Sequence, residues 1–157
     1  MENLEIMNLV VDLTALAQQV QRMTNYVDVG CANPSAQNVL DTNADSKIYA
    51  DLLTAAKNRV LAIVGRHTKA VDQPSGSDQE WVLTFKVPAC NNTPLLAQQL
   101  HDAVVEGMAT YMVAHWLMLV SSSQAEMAVQ RWTDADHELR NLSLWRNRPP
   151  QIALSVF

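Results

Sequence analysis

Residues 93–120, TPLLAQQLHDAVVEGMATYMVAHWLMLV, demand a long helix that much of the remaining chain must cover. Thr93 suits an N-cap and Pro94 the first helical position, where the missing N–H would have had no partner anyway. Leu96, Leu100, Ala103, Val104, Met108, Tyr111, Met112, His115 and Leu119 recur at helical spacing. From residue 107 onward the segment is apolar nearly all round, as expected of a helix enclosed by other elements or other subunits. The run 107–120 is shorter than the ~20 residues a bilayer requires, and His115 interrupts it. It reads as core.

Three further segments are periodic. Residues 3–27 place Ile6, Leu9, Val10, Leu13, Leu16, Ala17, Val20 and Met23 on one face with no Pro or Gly between them, which predicts a helix ending near Thr24. A second helix starts at Asp45 as N-cap and buries Tyr49, Leu52, Leu53, Ala56, Val60, Ile63 and Val64, with Gly65 as its stop. The last opens on Ser123 and Glu126, a capping box, and lines up Ala128, Trp132, Ala135, Leu139, Leu142 and Trp145 before Pro149 and Pro150 end it. Between the second and third helices, Trp81, Leu83, Phe85 and Val87 alternate with Val82, Thr84 and Lys86, a strand closed by Pro88. A lone strand is unstable, so it needs a partner from residues 27–40, the C-terminal tail or another subunit. The fold class expected is therefore mainly α: four helices, a small β element near 81–87 and an extended C-terminal tail.

A chain of 157 residues, 48% hydrophobic and 17% charged, fits one domain over residues 1–150 with a tail at 151–157. Residues 25–44 form a loop or arm, read either as a contact element or as a surface meander packed by Val27, Val29, Val39 and Leu40. Residues 68–80 carry turn formers in series and predict an exposed, mobile loop. Cys31 and Cys90 make no disulfide framework and no CxxC pair, which suits a reducing compartment. The N-terminus MENLEIMNLVVDL lacks the basic lead of an export signal.

Chemical motifs are weak throughout. DTNADSKI at 41–48 imitates a calcium loop, but Ser46 stands where Gly is needed and Leu52 where a bidentate Glu is needed. His101 and Asp102 lack the further ligands of a metal site and read as a solvated helix face. His115 sits among Tyr111, Met112 and Trp116 and reads as a packed, hydrogen-bonded histidine. Asp134, Asp136, His137 and Glu138 wrap around their helix, the pattern of a solvated acidic face. No GxSxG surrounds residues 121–123, and Gly30, Gly65, Gly76 and Gly107 are too scattered for a phosphate loop. No catalytic residue, cofactor or metal ligand is expected, and the chain reads as a non-enzyme.

The C-terminus is distinctive. All sixteen acids lie before residue 140, together with eight of the eleven basic residues, so residues 1–139 carry −8 (8 − 16). Arg140, Arg146 and Arg148 then give the rest +3. An acidic body repels nucleic acid, and three arginines are too few for a DNA-binding patch. After Pro149 and Pro150, QIALSVF alternates Ile152, Leu154 and Val156 and ends on Phe157, an aggregation hazard unless it pairs. Trp145, Arg146, Arg148, Ile152, Leu154, Val156 and Phe157 are the candidate protein interface.

The order of these phrases resembles the head–tail connector (adaptor) proteins of tailed bacteriophages, including virion proteins of phages and prophages of Bacteroides-type bacteria. The resemblance runs over residues 45–150. It rests on Ala55, Ala56, Val60, Gly65 and Arg66 in the second helix. Leu100, Ala103 and Val104, followed by Val113, Ala114, His115, Trp116 and Leu117, carry it in the third. It implies a structural neck protein of the virion, made in the host bacterial cytoplasm. Copies would form a ring, commonly of about twelve, beneath the portal, with tail or lower neck proteins below. DNA would pass through without specific binding, and no membrane is involved. The residues leave alternatives open: a tail-completion or other neck ring protein, a small helical enzyme, or a regulatory binding module. The N-terminal helix and the 25–44 arm depart from the family pattern.

Overall fold

The computed structural model describes residues 4–29, 40–41, 45–65, 79–120 and 122–143, with the backbone alone at 25–29, 91 and 122–124. Its elements run β1 (Leu4–Asp12), α1 (Leu13–Val29), α2 (Ser46–Val64), β2 (Glu80–Pro88), a 3-10 turn (Ala89–Asn91), α3 (Pro94–Val120) and α4 (Ser122–Ser143). The fold is mainly helical, with four helices and one two-stranded antiparallel sheet among the described residues.

The N-terminal segment corrects the sequence reading. Residues 4–12 form a strand rather than the first turns of a helix, and α1 starts at Leu13 and runs past Thr24 to Val29. The cause is a segment apolar at both periods. A helix would bury Ile6 and Val10, whereas the strand buries Met7, Leu9 and Val11 and leaves Ile6 and Val10 outside. Val10 and Val11 are β-branched and favour the extended form. Asp12 makes the switch, its Oδ1 accepting from the N–H groups of Thr14 (2.9 Å) and Ala15 (3.1 Å), as an N-cap does. Asp12→Ala should lower stability by about 1 kcal/mol, read as a shifted urea midpoint with unchanged slope.

Among the described residues the partner of β2 is thus β1. The register runs without a bulge from Leu4↔Pro88 to Asp12↔Glu80. On the inner face Met7 opposes Phe85, Leu9 opposes Leu83 and Val11 opposes Trp81, all buried. These cross-strand pairs are what stabilise so small a sheet. Lys57 Nζ lies 5.7 Å from the centre of the Trp81 ring and ties α2 to the strand.

α3 is the axis. Thr93 Oγ1 accepts from Leu96 N–H at 3.2 Å, the expected cap. α4 and α2 pack on α3, while the sheet and α1 pack chiefly on α3 from their own side. Neighbours on two sides explain why α3 shows no single apolar stripe, with burial from Leu100 through Leu117 on several faces. By length and composition this 27-residue helix would suffice to cross a membrane, although the run 107–120 alone looked too short; most of its apolar window is buried. Its last residues depart from expectation, since Met118, Leu119 and Val120 are exposed. Gly107 is buried against α4, and a Cβ there would meet Leu139 Cδ2 at an ordinary 3.9 Å. Gly107→Ala should therefore stabilise the protein by about 0.5–1 kcal/mol through helix propensity, visible as a raised Tm.

The second helix begins after Asp45 as expected, but the Asp45 carboxylate bonds backward to the Asp41 N–H (3.3 Å) and makes no cap bond. Gly65 ends α2 with right-handed backbone (φ −65°), not the left-handed stop expected of glycine. A Cβ on it would collide with the Leu61 carbonyl oxygen, and that close approach explains the glycine. Leu40, at the end of the expected arm, is fully buried, and its N–H donates to Thr24 Oγ1 at 3.1 Å. The rest of the arm (30–39 and 42–44), most of the 68–80 loop and the tail lie outside the described residues.

Candidate functional site

The side chains that carry chemistry gather where α2, α3 and α4 meet. Tyr111 and His115, one turn apart on α3, stack at 3.9 Å between ring centres. Trp132 of α4 meets both edge-on, at 5.4 Å and 5.1 Å. His115 Nδ1 lies 2.8 Å from the Tyr111 carbonyl oxygen, so the nitrogen carries the proton and donates. The histidine is held within the packing by its own helix. The Arg59 guanidinium of α2 lies 5.9 Å from the Trp132 ring centre and pairs with Asp136 at 2.7 Å.

Asp136 corrects the sequence reading. It does not belong to a solvated acidic face; its side chain is only 13% exposed, and Arg140 approaches the same oxygen, Oδ2, at 3.9 Å. The signal was present: Asp136 follows Ala135 and precedes Leu139 on the buried stripe, four residues before Arg140. Arg59→Met would strand a nearly buried carboxylate, and because Arg59 itself is 39% exposed the expected loss is about 1–2 kcal/mol. Arg59→Met combined with Asp136→Leu should recover part of it, since an apolar pair replaces an ion pair. A double-mutant cycle in urea measures both.

This cluster has the form of packing. Arg59 Nε, Trp132 Nε1 and Tyr49 Oη are buried without hydrogen-bond partners, and burial pushes the Tyr49 hydroxyl pKa upward, holding it neutral. His101 and Asp102 lie elsewhere on α3, the first half-buried and the second exposed, with Nδ1 3.3 Å from Oδ1, and Gln98 also donates to Asp102. Among the described residues no three His, Cys, Asp or Glu side chains converge as metal ligands. At the calcium-like loop, Ser46 already begins α2 and Leu52 lies inside it. Cys90 is a free, exposed thiol and Cys31 is outside the described residues.

The surface carries a different signal. On the outer face of the sheet Leu4, Ile6 and Val10 are 53%, 63% and 46% exposed. At the turn between α3 and α4, Met118, Leu119, Val120 and Met127 form a second uncovered apolar group. The helical reading of residues 3–27 hid the first, because it placed Ile6 and Val10 in the core. The interface residues expected from sequence (Trp145, Arg146, Arg148, Ile152, Leu154, Val156 and Phe157) all lie outside the described residues. No protein-family model, curated protein or solved structure matches this chain.

Proposed function

We propose that the chain is a structural subunit of a tailed-phage neck, a head–tail connector whose copies assemble into a ring beneath the portal and around the DNA exit channel. The observation that carries this reading is the pair of uncovered apolar groups, one on the sheet and one at the α3–α4 turn. Separate sticky patches on one subunit suit contacts with two different neighbours, as a closed ring requires. The resemblance over residues 45–150 points the same way. A histidine absorbed by stacking and an acid absorbed by an ion pair suit a protein whose work is mechanical. The net charge of −5 suits a channel that DNA crosses without sticking, because like charge suppresses phosphate contacts.

Light scattering and electron microscopy of the purified chain test this. The expected result is a ring of several copies, alone or on added portal protein. A stable monomer that neither rings nor binds a portal overturns it. Binding to added portal protein separates an adaptor, which should attach to it, from a tail-completion protein, which should not.

A further inference from the structure

The outer side of β1 is apolar and uncovered, and among the described residues its second edge pairs with no strand. Nine extended residues with a free edge are a template for another strand. The same chain holds a segment of matching chemistry. Fourteen residues follow Ser143, and they end in QIALSVF, which alternates apolar residues after two prolines. Its basic lead holds Arg146 and Arg148 with no acid in the segment's own sequence, while the sheet ends in the cross-strand acidic pair Asp12 and Glu80.

Whose tail it takes follows from topology. α4 turns back along α3, with Leu139 beside Gly107 and Trp132 beside Tyr111, and packs on α3 and α2. The sheet packs chiefly on α3 and on α1, so α3 separates the end of α4 from its own subunit's sheet. Arg148 and Pro149 each precede a proline, which disfavours helical backbone at both, and the rings of Pro149 and Pro150 fix φ there. A lead stiffened in this way favours a tail that runs on past its own subunit over one that doubles back around α3. We infer that residues 151–157 of one copy add as a strand to β1 of a second copy, running antiparallel to it. That direction sets Arg146 and Arg148 near Asp12 and Glu80, and brings Ile152, Leu154 and Val156 alongside Val10 and Ile6. Each copy gives a tail and receives one, a head-to-tail contact that generates a ring when it closes. This rests on the assembly reading above and names its contact.

Ile6→Lys removes the acceptor at an exposed position, and Leu154→Lys removes the donor. Each full-length variant, verified as folded by circular dichroism, should run as a monomer where the wild type assembles. Mixed one to one, they should give a two-chain species in light scattering, since one intact tail still meets one intact sheet. If the wild type assembles but Ile6→Lys or Leu154→Lys assembles equally well, or the mixture stays monomeric, this inference falls and the connector reading stands. A wild type that remains monomeric overturns this inference, and the connector reading falls with it when that monomer also fails to bind or ring on added portal protein.

Discussion

Val11→Asp should cost more than about 4 kcal/mol and leave the chain largely unfolded, whereas Val10→Asp, one residue earlier, should cost about 1 kcal/mol. The two positions carry the same residue in the same strand and differ only in the face they occupy. Val11 is fully buried against Trp81 across the sheet, so an aspartate there brings a carboxylate into the core without a partner. Its side chain is too short to reach water. Val10 stands 46% exposed opposite Val82, and an aspartate there loses only strand propensity and some cross-strand contact. A helix over residues 3–27 predicts the opposite order, with Val10 inside. Urea unfolding followed by circular dichroism reads both variants, and equal losses would mean that β1 does not hold this register.

The contrast shows where sequence reasoning succeeds in this chain and where it stops. α2, β2, α3 and α4 each carry one period and a punctuating residue at one end at least: Asp45 and Gly65 for α2, Pro88 for β2, Thr93 with Pro94 for α3, and Ser123 for α4. Their buried residues agree with the expected stripes, as at Ala56, Val60, Ile63 and Val64 of α2. Residues 4–12 fail because LEIMNLVVD satisfies helix and strand alike. The choice is made by a partner about 75 residues away in sequence, whose Trp81, Leu83 and Phe85 complete the inner face. Only Asp12, an N-cap inside a supposed helix, betrayed the break. Asp136 was legible in principle, since the 3.6 period puts it on the buried side, but its acidic neighbours Asp134 and Glu138 disguised it. The uncovered face of β1 could not be seen at all until the segment was a strand. A face that looks like core under one period becomes a docking surface under the other.

Leu40→Ala should lower stability by about 3 kcal/mol, within the ~2–5 kcal/mol range of fully buried leucines. By sequence Leu40 belongs to a polar stretch, NPSAQNVLDTNADS, readable either as a contact element or as a meander packed by Val27, Val29, Val39 and Leu40. In the fold it is fully buried as part of the main hydrophobic core. Its backbone is pinned as well, because Thr24 Oγ1 accepts from the Leu40 N–H and itself donates to the Gln21 carbonyl at 2.9 Å. Thr24→Val keeps the volume but leaves that N–H without its acceptor, and should cost about 1–3 kcal/mol. Both losses should appear in the isolated chain as shifted urea midpoints with an unchanged slope. If residues 25–44 served only as an arm for neighbouring subunits, Leu40→Ala would leave the monomer's stability intact and weaken assembly alone. A measured loss under about 1 kcal/mol would favour that arm. The expected loss instead makes Leu40 an anchor: the chain between Val29 and Leu40 is tied at both ends to its own subunit.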